Sequence, residues 1–229
     1  MKKLVLVLVL AALVAGGAFA QIEMSAGVGG ILDMSFNNGV KVEGKGYFSG
    51  YSGSDGFNNT SFGAFAFFDI TYAVIDVAFL SGSWENYSTG TGYKDQYTDM
   101  GTFSQLGIGI MGKFPIDLGV FKLFPMLGVN YNMVLSGKSP RGATWVYNYD
   151  YYGKKTTLSA ELSQLGLLGG VGADIGITEQ IFIRIEALFQ LRLPMKTYSD
   201  QVKDKSEYFD SSATLGLGPR IKLSVGYKL

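Results

Sequence analysis

Four segments of this chain alternate apolar and polar residues over nine or more positions, and a period of two sustained that long marks a β-strand with two different faces. In the clearest, Ile181, Ile183, Ile185, Ala187, Phe189, Leu191 and Leu193 share one face, and Phe182, Arg184, Glu186, Leu188, Gln190 and Arg192 share the other. The last segment sets Leu215, Leu217, Pro219, Ile221, Leu223, Val225, Tyr227 and Leu229 against Thr214, Gly216, Gly218, Arg220, Lys222, Ser224, Gly226 and Lys228. Phe121 to Met133 and Leu106 to Phe114 repeat the pattern, with Lys122, Asn130, Asn132, Gln105 and Lys113 on their polar sides.

Laid end to end, about eight strands are expected, over 22–36, 57–70, 73–84, 102–115, 121–136, 161–175, 180–195 and 212–229. The second has a confused period because Phe67 and Phe68 are adjacent. Short connections around Asp69–Tyr72, Pro115–Val120 and Gly176–Glu179 alternate with long ones at 37–56, 85–101, 137–160 and 196–211. Long-short alternation over an even strand number predicts an all-β, closed, antiparallel up-and-down transmembrane β-barrel. It has short periplasmic turns, long outer loops and periplasmic termini. The alternating Trp145, Tyr147, Tyr149 and Tyr151 in the third long connection leave a ten-strand count open.

The first twenty residues read as a cleaved signal peptide. Lys2 and Lys3 precede an apolar stretch from Leu4 to Val14, and Ala18-Phe19-Ala20 is an A-x-A site with cleavage after Ala20. The barrel domain is then 21–229. With 19 basic and 19 acidic residues, nothing in the overall charge directs the chain to nucleic acid. There is no cysteine, which excludes disulfides, thiolate metal sites and a catalytic thiol.

Alternation alone does not say which face points outward. The polar face is rich in Gly, Ser, Gln and Ala with sparse charges, as a narrow lumen requires if a few long side chains are to fit. The apolar face is long enough for the ~9–11 residues of a tilted membrane strand. Phe36, Tyr72, Phe114, Phe121, Tyr131 and Tyr227 lie near strand ends, as interfacial girdles do. A one-residue slip of the 181–193 strand would turn Arg184, Glu186 and Arg192 into lipid, at ~2–4 kcal/mol for each basic residue. The expected lumen charges are therefore Lys113, Lys122, Arg184, Arg192, Arg220, Lys222 and Lys228 with Glu23, Asp33, Asp76, Asp174 and Glu186. Glu186 is expected close to Arg220 and Lys222.

On the leader, the strand count, the loop alternation and the last strand, the mature chain resembles the small outer-membrane β-barrels, the OmpW, OmpX and OmpA-transmembrane class. Ile221, Leu223, Val225, Tyr227 and Leu229 match the alternate apolar positions by which the barrel-insertion machinery reads such proteins, although the class usually ends on Phe or Trp. The resemblance implies an outer-membrane location with outer-membrane lipid as the solvent. The enzymes of similar size in that membrane use histidine as acid or base, and this chain has none. No enzyme activity, cofactor or metal is expected.

The clusters Gly27-Val28-Gly29-Gly30, Gly169-Gly170-Val171-Gly172 and Gly216-Leu217-Gly218 are not phosphate loops, because no helix pattern follows them. They read as small lumen residues or kinks. The acidic residues of the long loops have no calcium-loop spacing. The sequence thus points to a structural or surface-interaction barrel with a lumen plugged by charge, whose loop aromatics Trp145, Tyr147, Tyr149 and Tyr151 could contact an extracellular ligand. The alternative is a narrow pore, or a conduit for small ions or small apolar molecules, as the OmpW-like resemblance implies.

Overall fold

The computed structural model describes residues 23–50, 52–90, 99–138, 148–151, 154–157, 163–193 and 209–229. The leader, with Ala20, therefore lies outside the described residues. Eight long strands form the wall: β1 (Met24–Gly44), β2 (Ser52–Ile70), β3 (Ala73–Gly90), β4 (Asp99–Lys113), β6 (Phe121–Lys138), β9 (Gln164–Gly176), β10 (Ile181–Arg192) and β12 (Gly216–Lys228). Each pairs antiparallel with the next, and β12 returns to pair with β1, so the sheet closes. Short pieces decorate the wall. β5 (Ile116–Asp117) pairs with β6 at the turn end, and β11 (Phe209–Thr214) extends the line of β12 along β1 at the loop end.

The count is eight, not ten. The segment that left ten open forms a separate two-stranded ribbon, β7 (Asn148–Tyr151) with β8 (Lys154–Thr157), outside the wall sheet. At the loop end β1, β2, β3, β4 and β6 extend beyond the expected limits, whereas β9 starts three residues later than expected, at Gln164. β1, β2 and β3 each gain several residues at that end, in mostly polar sequence that in β1 also holds Val40 and Val42.

Register fixes the shape. Paired residues followed once around the wall run from Ala26 through Phe68, Ile75, Ile110, Val129, Leu167, Leu191 and Leu217, and meet β1 again at Phe36. The path returns ten residues from its start, a shear of ten for eight strands. With a rise of ~3.3 Å per residue and strands ~4.8 Å apart, that stagger gives a tilt of ~40° and a backbone radius of ~8 Å. Such an interior holds side chains and little else.

The turns at one end are tight for identifiable reasons. Gly119 has φ of 80°, open to glycine without strain, and its N–H donates to Asp117 Oδ1 at 2.8 Å. Thr178 Oγ1 accepts from the N–H of Ile181 at 2.9 Å. The N–H of Glu23 donates to Thr71 Oγ1, and that of Leu229 to the Met24 carbonyl, so both described ends of the chain are pinned at the turn end.

The wall is inverted relative to a soluble barrel. Outward residues such as Val28, Phe62, Leu127, Phe189 and Leu223 are more than half exposed, whereas Arg184, Glu186, Arg192, Arg220 and Lys222 are almost completely buried. No outward position of β10 or β12 is charged. The outward run from Ile181 to Leu193 rises ~30 Å along the axis at that tilt, and an apolar band of ~25 Å is what a bilayer accommodates. Exposed Tyr72, Phe114, Phe121 and Tyr227 rim the turn end of the band. On β2 and β3 it stops at Phe62 and Phe79, beyond which Thr60 and Ser81 face out.

The confused strand resolves simply. On β2, Phe65, Phe67 and Asp69 point in while Phe62, Ala64, Ala66, Phe68 and Ile70 point out. Phe67 and Phe68 straddle the sheet, and apolar residues on both faces erase the period.

Candidate functional site: the tiered lumen

The inward side chains sort into three charged tiers along the axis, spaced roughly 8–10 Å apart by the tilt and rise of the wall. The tier nearest the turn end joins β2, β4, β9 and β10. Arg184 reaches Asp174 through two parallel bonds, Nε to Oδ1 at 2.6 Å and Nη2 to Oδ2 at 2.7 Å, and also contacts Asp69. Lys113 Nζ lies 2.5 Å from Asp69 Oδ2. Three phenyl rings pack around the guanidinium, with centroids of Phe67, Phe124 and Phe182 at 4.7, 5.0 and 5.2 Å from Arg184 Cζ. Desolvated cation–π contacts of this kind contribute ~2 kcal/mol or more.

Each of these rings faces a glycine directly across the ladder: Phe67 opposite Gly27, Phe124 opposite Gly172, Phe182 opposite Gly226. A Cβ at any of the three would meet the ring. Glycine therefore supplies the width that lets a phenyl lie inside so narrow a barrel.

In the middle tier, Lys222 Nζ is 2.8 Å from Asp76 and 3.1 Å from Glu186, and 5.1 Å from the centre of the Phe65 ring. Gly109, opposite Asp76, leaves room for that carboxylate. In the tier nearest the loops, one carboxylate, Asp33, holds two arginines. It accepts from Arg192 Nη2 at 2.6 Å, from Arg220 Nε at 3.1 Å and from Arg220 Nη2. Asn59 Oδ1 accepts from Arg192 Nη1 at 3.1 Å and Asn132 Oδ1 from Arg220 Nη2 at 3.3 Å.

Together the tiers contain five cations and five carboxylates in mutual contact, so the set is neutral. The balance is not local. The middle tier has two carboxylates to one lysine, and the loop-end tier two arginines to one carboxylate. Between them lies an apolar layer of Ile31, Ala78, Leu168 and Leu188, all buried. The opposite excess charges face each other across this septum.

Sequence reasoning and structure differ at definite points. Asp76, Lys113, Asp174, Arg184, Glu186, Arg192, Arg220 and Lys222 all lie in the tiers. Lys122 does not: it pairs with Glu23 at 2.7 Å at the open turn end, both partly exposed. Lys228 is exposed at the same rim. Glu186 contacts Lys222, its partner in register, but Arg220 turns to Asp33 instead. Asp69, which links two cations, was missed because the mixed pattern of β2 hid its face. Phe182 stands on the polar face with Arg184 in the sequence reading, whereas Phe65, Phe67 and Phe124 were missed as lumen residues because apolar residues were assigned to lipid. The glycine opposite each was the available signal. Trp145 and Tyr147 lie outside the described residues, and Tyr149 and Tyr151 fall on β7 opposite Thr156 and Lys154.

Among the described residues no group of acidic side chains is arranged to hold a metal ion. A cavity of about 260 Å³ opens at the turn end, floored by Arg184, Asp69 and Phe124.

No family model matches the chain, and no curated protein matches it. Solved structures of similar fold include the outer membrane protein OprG from Pseudomonas aeruginosa, 11% identical over 91% of this chain and 96% of that one, with a TM-score of 0.46. The attachment invasion locus protein Ail of Yersinia pestis is 14% identical over 92% of this chain and 100% of its own, with a TM-score of 0.36. The outer membrane protease OmpT from Escherichia coli is 11% identical over 93% and 99%, with a TM-score of 0.39. At these values the likeness carries no argument about function, and the closed eight-stranded barrel rests on the strand pairing itself.

Proposed function

We propose that this chain is an outer-membrane barrel whose lumen is sealed, and that it acts through the surface its loops present outside the cell. The observation that carries the reading is the tiered lumen. Three charged layers fill a barrel of ~8 Å backbone radius, a size whose interior side chains occupy. The apolar septum adds a second barrier, because water and ions avoid a narrow apolar constriction. The described cavity at the turn end is floored by the first tier, so an ion or small apolar molecule entering there meets the Arg184–Asp69–Lys113 contacts and then the septum.

The apolar exterior and the neutral lumen support a bilayer location, with the turns and both ends of the barrel in the periplasm. The outward positions Ile221, Leu223, Val225, Tyr227 and Leu229 are all exposed, available to the barrel-insertion machinery before closure. Neither the tiers nor the rim offers a histidine or a free nucleophile–base pair, and the reading assigns no enzyme activity.

The test is single-channel recording of the refolded protein in a planar bilayer. Silence is expected. A steady discrete conductance would establish the narrow-pore alternative. Recovery of the native protein from cells without detergent would overturn the membrane location.

A further inference from the structure

The outward apolar belt is not equally tall around the barrel. At an axial rise of ~2.5 Å per residue, it measures ~30 Å on β1 (Met24 to Phe36), β6 (Phe121 to Met133), β10 (Ile181 to Leu193) and β12 (Leu215 to Tyr227). On the neighbouring strands β2 to β4 it is shorter: ~20 Å on β2 (Phe62 to Ile70) and β4 (Leu106 to Phe114), and ~15 Å on β3 (Ala73 to Phe79). The missing height is at the loop end. Followed across the ladder with ~3 Å of rise per strand, Phe62, Phe79 and Leu106 stop ~5–10 Å below the level of Phe36, Leu193 and Leu215.

Above that limit the outward residues are Thr60 on β2, Ser81 and Ser83 on β3, and Thr102 and Ser104 on β4. All are small, uncharged and hydroxylic. Ser104 is hydrogen-bonded to Ser136 at 2.7 Å, and the other four are exposed. They cannot rotate into the lumen. The β2–β3 and β3–β4 ladders run through this region without a register shift, and the alternate residues Asn59, Ser61, Leu80 and Gln105 are already buried inside. By the same ladder, Ser81 lies within ~1 Å of the level of Leu217, an outward residue of β12. A flat bilayer that covers Leu217 would therefore bury Ser81 in hydrocarbon. Hydroxyls there lose water without gaining a partner, whereas a leaflet changes its local thickness at a small cost per ångström. The lipid gives way first.

We infer that the loop-end half of β2–β4 is a notch that holds lipid headgroups. The hydroxyls of Thr60, Ser81, Ser83 and Thr102 meet the ester and phosphate oxygens of the loop-side leaflet, which is thinned on this side of the barrel alone. Lipid is the occupant because the notch continues the apolar belt directly above Phe62, Phe79 and Leu106. It also offers none of the large aromatic or arginine side chains that anchor a protein partner. The inference rests on the bilayer location proposed above.

The chain contains no cysteine, so each single-cysteine variant reports one position. Ser81→Cys and Leu217→Cys are reconstituted, one barrel per disc, in nanodiscs of dieicosenoylphosphatidylcholine with a hydrocarbon core of ~30 Å. Each is modified with a membrane-impermeant cationic methanethiosulfonate, and its rate is divided by the rate in urea. Ser81→Cys should react about tenfold or more faster than Leu217→Cys, a ratio that needs only ~1.4 kcal/mol of preference for the polar side. Adding Thr60→Leu, Ser83→Leu and Ser104→Leu, which extends the apolar belt upward, should remove most of that difference. Equally slow rates would mean an unthinned leaflet and overturn the notch with the bilayer location intact. Equally fast rates would place Leu217 itself outside hydrocarbon and overturn the bilayer location along with the notch.

Discussion

Replacing Asp33 by Asn changes one oxygen for one nitrogen and removes the only carboxylate of the loop-end tier. Asp33 accepts from both Arg192 and Arg220, and all three are buried. Two guanidinium groups bound to one carboxylate lie roughly 5 Å apart. Without it, their repulsion at an effective dielectric of ~20 is about 3 kcal/mol. Loss of charge-assisted hydrogen bonds adds to this, and breaking a buried pair from one side costs about 3–5 kcal/mol in all. The whole barrel is stabilised by only ~5–15 kcal/mol on the usual scale. Asp33→Asn should therefore lower the urea midpoint of the refolded protein markedly, read by tryptophan fluorescence and by loss of the folded band on unheated gels. Adding Arg192→Gln should restore about 2 kcal/mol or more, because it removes the repulsion. A loss below about 1 kcal/mol, or a double variant as unstable as the sum of the single ones, would refute a mutually dependent tier.

Other outcomes follow from the same geometry. On the proposed sealed lumen, Asp33→Asn should remain electrically silent in a planar bilayer, because the buried layer of Ile31, Ala78, Leu168 and Leu188 is unchanged; adding Leu168→Ala and Leu188→Ala should give discrete conductance. If the single variant already leaks, charge alone is the seal. Gly226→Ala should destabilise by about 1–3 kcal/mol through overpacking against Phe182, and Phe182→Leu in the same chain should recover part of it, measured by urea midpoint. Leu223→Arg places a cation on the lipid face near mid-band and should cost about 2–4 kcal/mol in bilayers, with a smaller loss in micelles; equal losses in both would argue that Leu223 does not meet lipid.

Most of the wall was legible because its faces differ in kind. On β10 and β12, a shift of one residue exchanges Leu and Ile for Arg and Lys, so the period declared both strand and register. The length of β1–β3 was not legible. Their extensions run through Asn, Ser and Gly sequence that also suits loops, and pairing to neighbours, not local propensity, makes them strands. The face of β2 was hidden for the opposite reason: Phe65 and Phe67 are as apolar as Phe62 and Phe68. Cross-strand information resolves it, since an inward phenylalanine needs a small partner and Gly27 is the residue opposite Phe67. Glu186 went to Lys222 and not to Arg220 because Asp33, from the far end of the chain, competes for that arginine. No reading of one hairpin contains this.

The glycine–phenylalanine pairs and the charge tiers solve one problem from two sides. A barrel of eight strands with shear ten is too narrow for a water-filled channel once large residues point inward, yet charges inside it need neutralising partners in place of water. Each cation here is reached by a carboxylate from another strand, and the Arg184 and Lys222 tiers also rest on phenyl rings. These contacts cross the lumen as well as following the wall: Asp69 of β2 meets Arg184 of β10, and Asp76 of β3 meets Lys222 of β12. Strands remote around the circumference are therefore tied in register to one another, not only to their neighbours. A slip at any hairpin would strand several buried charges at once. The charge contacts that fill the lumen thus also specify the fold, and removing them would loosen the wall that surrounds them.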